Sequence, residues 1–352
     1  MVVPAGLRLD SVTGCGRDPK TPAYEMHILI TGAAGMIGRK LTERLIVDRE
    51  IGGQPVERLT LIDVVAPTRP AGFSDHVKAR AADLADPGVA EKAVSERPDL
   101  IFHLAGVVSG EAELDFEKGY RVNLDGTRAL LEAVRLAGGG YKPKFVFTSS
   151  IAVFGAPFPD AIPDEFHLTP LTSYGTQKAM SELLLADYNR RGFLDGVGIR
   201  LPTINVRPGK PNKAASGFFS GIIREPLSGQ EAILPVAESV MHWHASPRAA
   251  IGFLLHAATL KREQLGERVN LTMPGVAVTV GEQIAALKRV AGDKVAARIR
   301  REPDPLIERI VAGWPSRFEA KRATALGFRA ESSFDEIIRA HIDDELGGRI
   351  GI

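Results

Sequence analysis

The stretch HILITGAAGMIGRKLTERL, His27 to Leu45, decides the fold. A short apolar run (His27 to Ile30) meets a glycine-rich turn, TGAAGMIG at Thr31 to Gly38, and then an amphipathic segment with Ile37, Leu41 and Leu45 spaced by four. That order reads as strand, tight turn and helix. Gly32, Gly35 and Gly38 let the backbone bend sharply and bring the amides of a helix N-terminus against a pyrophosphate. The spacing is TGxxGxxG; an incidental strand-to-helix connection is the alternative.

Downstream, buried-strand patterns recur at Leu59 to Asp63, Val77 to Ala82, Leu100 to Leu104 and Phe145 to Thr148. Helical patterns lie between them, at Pro87 to Glu96 and along Val122, Leu124, Leu130, Leu131, Val134 and Leu136, the latter stopped by Gly138 to Gly140. Strands alternating with helices predict an α/β fold, a doubly wound parallel sheet covered on both faces. From Val206 to Ser246 proline, glycine and loop residues dominate; after Val269 to Thr272 the chain reads as helices again, at Val280 to Val290 and Phe334 to Leu346. Residues 1–25, rich in proline and glycine, read as a disordered extension. Residues 26–205 read as a dinucleotide-binding domain to which later segments return, and 206–352 mainly as a smaller substrate-binding lobe.

Composition narrows the function. The chain has 352 residues, 44% hydrophobic and 25% charged, enough for a substantial core. Lys plus Arg (44) balance Asp plus Glu (43), so no overall field favours nucleic acid or an anionic membrane. No apolar run reaches the roughly 18 residues of a membrane span. The single cysteine, Cys15, and the absence of a CxxC or Cys/His cluster predict a reducing, cytoplasmic setting and no structural zinc.

Three further elements carry chemistry. Asp63 ends the second strand, where a carboxylate accepts both ribose hydroxyls of adenosine and repels the extra phosphate of NADP, so NAD is favoured; a strand-end turn residue is the other reading. Asp83 and Leu84 follow the third strand, in place to contact adenine. Tyr174 and Lys178 in YGTQK fall on one helical face, where the lysine charge would lower the phenol pKa and make the tyrosine a base for an alcohol proton. A solvated surface pair is the alternative. Ser150, in TSS at the carboxyl end of a strand, offers a hydroxyl to a substrate oxygen, or merely caps local backbone. Asn123, poor as a helix residue, suggests a local hydrogen-bonding task, with helix distortion or solvent exposure as the alternative.

The ordered set TGAAGMIG, Asp63, Asp83-Leu84, HLAG (His103 to Gly106), Asn123, Ser150 and YGTQK resembles the extended short-chain dehydrogenases/reductases over nearly the whole chain from Met26. The resemblance implies a Rossmann domain binding NAD through Gly32, Gly35, Met36, Ile37, Gly38, Asp63, Asp83 and Leu84. Leu104, Ala105 and Gly106 would also bind the cofactor, and Pro202 and Thr203 would lie by the nicotinamide. It implies Tyr174 as proton acceptor, Lys178 also holding the nicotinamide ribose, Ser150 as substrate anchor and Asn123 supporting a relay water. A homodimer packed through the helices of Asn123 and Tyr174 is implied as well.

Departures from the commoner members narrow the substrate. Sugar dehydratases carry Thr-Asp-Glu where this chain has Ser150, Ile151 and Ala152, so an acid for dehydration is missing. Nucleotide-sugar epimerases carry an arginine and an Asp-containing segment where MHWHASPR, Met241 to Arg248, stands. Between Asp195 and Glu225 no acidic residue occurs, while Arg200, Arg207, Lys210, Lys213 and Arg224 are cationic. Such a segment suits a small anionic substrate, because a carboxylate entering a cleft needs a paired cation; a solvated basic loop or contact with cofactor phosphates is the alternative.

This segment and HWHASPR resemble the D-erythronate dehydrogenase branch, which implies oxidation of the C2 hydroxyl of a four-carbon sugar acid to the 2-oxo acid. Arg248 is the expected carboxylate partner, with Lys210 second, and Asn212 and Ser216 as partners for hydroxyls. His242 and His244 alternate as strand neighbours do; without a third ligand they are expected to line the pocket or fill the lobe interface, with no metal. A nucleotide-sugar 4-epimerase and a non-catalytic NAD-binding regulator are the competing readings.

Overall fold

The computed structural model describes residues 26–209 and 216–351. The glycine turn joins strand β1 (Met26–Thr31), whose six residues are all buried, to helix α1 (Met36–Asp48). A short β2 (Glu50–Ile51) forms a hairpin with β3 (Gln54–Asp63), which is followed by β4 (Val77–Ala81), α2 (Val89–Val94) and β5 (Leu100–His103). Helices α3 (Ser109–Leu114) and α4 (Phe116–Gly119) lead through a π-helical turn at Tyr120–Asp125 into α5 (Gly126–Leu136) and β6 (Lys144–Ser150). The eighteen-residue α6 (Ser173–Arg190), β7 (Asp195–Leu201) and β8 (Thr203–Ile204) complete the half that carries the sequence motifs.

The large sheet runs β4-β3-β1-β5-β6-β7-β11, every neighbour pair parallel, with β11 being Asn270–Thr272. Chain progress reverses between β1 and β5, which opens a crevice above the carboxyl ends of those strands. One face is covered by α2, α5 and α6, through Leu130, Leu131, Val134 and Leu185 among others. The other is covered by α1 and by α8 (Pro247–Thr259), through Leu41, Leu45, Phe253 and Leu254. Residues after 206 are thus shared: α8 and β11 belong to the large sheet, and a separate apolar cluster gathers the remainder.

That second cluster corrects the loop reading of Val206 to Ser246. The segment contains α7 (Gly217–Leu227), β9 (Ala232–Leu234) and β10 (Met241–Ala245). Phe219, Ile222, Ile223 and Leu227 recur at helical spacing and are fully buried, each worth roughly 1.5–3 kcal/mol of apolar transfer. Pro226 and two glycines hide that period from a propensity reading, and burial overrides it. Strand β10 bridges β8 and β12 (Val276–Thr279), attaching the lobe beside the end of β7.

Candidate active site

The glycine turn is shaped by contacts that exclude a side chain. Gly32 has φ +75°, and a Cβ there would lie 2.6 Å from the Ala105 amide nitrogen; one on Gly38 would lie 2.2 Å from the Gly32 carbonyl oxygen. Gly35 caps α1 with no side-chain cap, leaving its first amides open to an anion. Asp63 accepts hydrogen bonds from the Ala34 and Val65 amides at 2.9 and 3.1 Å, which fixes its carboxylate beside the turn at the end of β3. Asp83 accepts from the Ala85 amide at 2.9 Å and from Arg121 at 3.2 Å, while Leu84 is buried in the core. This cradle, with its crowded glycines and a carboxylate at ribose position, fits the adenosine diphosphate half of NAD.

The crevice continues into a cavity of about 310 Å³ whose lining includes Ile37, Leu104, Gly106, Ser150, Tyr174, Lys178, Pro202 and Thr203. Met36 packs against the core, and Ala105 takes part through its backbone against Gly32. Ser150 stands at the end of β6, its Oγ accepting from the Ala152 amide at 3.1 Å. Tyr174 enters on the first turn of α6, capped by Thr172, whose Oγ1 accepts from the Gly175 amide at 3.0 Å. One turn on, Lys178 Nζ donates to the Thr148 carbonyl at 2.9 Å and lies 4.9 Å from the Phe147 ring centroid and 5.8 Å from that of Tyr174.

Burial raises the Tyr174 phenol above its usual pKa; a hydrogen bond with Ser150 and the charge of Arg207 pull it back down. Burial lowers Lys178 to about 8, against the opposing pull of Glu182. Arg207 thus adds a second cation near the phenol to the Lys178 that the sequence pointed to, whose Nζ stands beside the same ring.

Asn123 sits in the π-helical turn, fully buried. Its Oδ1 accepts from the Val107 amide at 2.9 Å and its Nδ2 donates to Gln177 Oε1 at 2.7 Å. Helix distortion and a hydrogen-bonding task, alternatives in the sequence, are both present. Behind it, Thr127 links Asn123 to His103, and His103 Nδ1 lies 2.7 Å from Thr31 Oγ1, tying the glycine turn to the catalytic end.

The substrate end differs from expectation. Arg248 is half exposed at the start of α8, paired with Asp344 at 2.7 Å and facing Asp343, outside the cavity; an arginine already bound to carboxylates on the far side cannot anchor one here. Lys210 and Asn212 lie outside the described residues. Arg200 is buried against Glu182 and Arg224 pairs with Glu225 at 2.5 Å, so neither is available. Arg207 and Ser216 do line the cavity, hydrogen-bonded to each other at 3.2 Å.

His242 also lines it: its Nε2 lies 2.6 Å from Thr203 Oγ1, its ring stacks on Phe219, and burial lowers its pKa to about 4, so it is neutral. His244 turns away toward Gln283. Among the described residues no group of three metal-ligating side chains forms. Trp314, 5.4 Å from the His242 ring, also lines the cavity and was not singled out from sequence; its only signal was being one of two tryptophans.

Comparison with known proteins agrees with this geometry. The profile of the NAD dependent epimerase/dehydratase family matches residues 28–270. The chain belongs to that family. NAD is its cofactor, and it is an oxidoreductase of the extended short-chain type with a Rossmann-type sheet. It is 51% identical to a D-erythronate dehydrogenase of Cupriavidus necator, over 91% of this chain and 98% of that protein. A D-erythronate dehydrogenase of Haemophilus influenzae is 41% identical over 91% of this chain and all of the other (100%). Among solved structures, one described as a nucleoside-diphosphate-sugar epimerase from Agrobacterium tumefaciens superposes with a TM-score of 0.91 at 67% identity, covering 95% of this chain and 99% of that one.

Proposed function

We propose that the protein oxidises the C2 hydroxyl of D-erythronate to the 2-oxo acid with NAD as acceptor. The observation that carries this reading is the match to two D-erythronate dehydrogenases along nearly their full length. The cavity is compatible with it: its lining among the described residues includes serine, tyrosine, lysine and arginine but no aspartate or glutamate.

When bound, NAD supplies the hydride acceptor. Ser150 holds the C2 hydroxyl, and Tyr174 takes its proton as the C2 hydrogen leaves with its electron pair, so the alcohol loses one proton to the tyrosine and one hydride to the acceptor, in balance. Lys178 holds the nicotinamide ribose and adds positive charge below the phenol. Asn123, with Val107 and Gln177, positions a relay water that drains the proton. Gly32, Gly35, Gly38 and Asp63 hold the adenosine half.

The same reading has a homodimer packed through the helices of Asn123 and Tyr174, where Leu136 on α5 and Leu183 on α6 stand exposed. The reading places it in the cytoplasm, in keeping with one cysteine and no described helix long and apolar enough to cross a membrane.

The name of the 67% identical structure favours a second reading, a nucleotide-sugar epimerase. An epimerase returns the hydride to its substrate and accumulates no NADH. Initial rates of NADH formation with D-erythronate, L-threonate and a UDP-sugar separate the two. Turnover of D-erythronate supports the proposal; epimerised UDP-sugar with no NADH from any acid sinks it.

A further inference from the structure

We propose that Arg207 is the specificity-determining cation of the cavity, the group that takes the substrate carboxylate. This deepens the sugar-acid reading and rests on it. Only Lys178 and Arg207 bring charged side chains to the described lining, and no carboxylate accompanies them. Lys178 is committed at depth, on the Thr148 carbonyl and the Phe147 ring. Arg207 also lines the cavity and is tethered there: Nε donates to the Ile204 carbonyl at 3.1 Å and Nη2 to Ser216 Oγ at 3.2 Å. Two fixed tethers orient the guanidinium without neutralising it.

The other described cations around it are spent. Arg200 is on Glu182, Arg224 on Glu225 and Arg248 on Asp344. Arg207 has no carboxylate partner among the described residues, and burial works against its charge, with Arg224 nearby adding to the cost. A largely desolvated cation facing a cavity without an anion is incomplete until an anion arrives. A carboxylate matches the planar fork, and charge-assisted bonds of that kind are the strong ones. Arg207 shares the cavity lining with Ser150 and Tyr174, as a 2-hydroxy acid requires, its carboxylate being one bond from the carbon oxidised.

The test compares D-erythronate with its neutral amide, D-erythronamide, in the full-length enzyme. The wild type is expected to prefer the acid. Arg207→Gln should raise KM for D-erythronate on the order of 10- to 100-fold more than KM for the amide, lower kcat for both alike through the charge withdrawn from Tyr174, and keep NAD affinity within about twofold, while Arg207→Lys, charged but unforked, falls between. An unchanged KM for the acid, or an equal rise in KM for acid and amide, would overturn the assignment. Should Arg207→Gln fail to fold, Ser216→Ala, which removes one tether, is read by the same acid-to-amide ratio. The parent reading fails separately: a wild type that oxidises no sugar acid overturns both, whereas acid oxidation insensitive to these variants overturns Arg207 alone.

Discussion

Glu182 and Arg200 form a closed ion pair beneath the catalytic strand: Nη2 donates to Oε2 at 2.7 Å and Nε reaches both carboxylate oxygens at 2.9 and 3.1 Å. Ser149, next to Ser150, donates to the same carboxylate at 2.5 Å. Because Glu182 stands one turn beyond Lys178 on α6, this pair fixes the helix of Tyr174 against the strand of Ser150. Removing one partner leaves the other buried and uncompensated, so Glu182→Ala should destabilise the fold by roughly 3–5 kcal/mol. Chemical denaturation measures the loss; a cost below about 1 kcal/mol would show that the pair does not lock the site.

Replacing Tyr174 by Phe removes the proton acceptor and spares the ring packing. The expected result is a fall in kcat of about 100- to 10,000-fold with NAD affinity nearly kept, read from NADH rates and from nucleotide titration. Close to full turnover would move the base elsewhere.

The two catalytic ionisations run in opposite directions. Burial raises Tyr174, so the phenolate fraction and the rate grow as pH rises through the alkaline range. Lys178, lowered to about 8, loses its charge above that pH. A profile of kcat/KM that rises and then turns over is expected, and Lys178→Arg, which keeps its charge at every pH in this range, should remove the descending limb. A descending limb retained in that variant would tie it to another group.

His341 offers a test away from the site. It is buried on the helix Phe334–Leu346 with no hydrogen-bond partner for either ring nitrogen among the described residues, and burial lowers its pKa to about 4. The unfolded chain protonates this histidine near 6.5 while the folded chain resists, so stability is lost as pH falls from 6.5 to 4, by on the order of 3 kcal/mol from this group. His341→Leu should therefore raise Tm more at pH 5 than at pH 8; an equal shift at both would assign the gain to packing alone.

The local parts of the site were readable in the sequence because their signals are local. TGAAGMIG marks a turn that only glycine fits, Asp63 ends a strand, and YGTQK puts Tyr174 and Lys178 one turn apart. What failed depended on distance along the chain. Counting charge from Asp195 to Glu225 treated Arg200, Arg207 and Arg224 as equals, yet only the fold tells which of them meets Glu182 or Glu225 and which meets the cavity. Arg248 was misassigned for the same reason, its carboxylates standing 95 residues and more downstream. Helix α7 was hidden by Pro226 and its glycines, since tertiary burial outweighs weak propensity.

The π-helical turn at Tyr120–Asp125, where the Gly126 amide reaches back five residues to the Arg121 carbonyl, works as a vernier between two registers. Upstream it delivers Asn123 to Val107 and Gln177; downstream it delivers Leu130, Leu131 and Val134 to the sheet. One residue of an α-helix turns it by about 100°. Deleting any single residue of this turn would restore an ordinary helix at the cost of rotating either the asparagine out of the site or the apolar stripe off the core, so the length of this segment is as constrained as its chemistry.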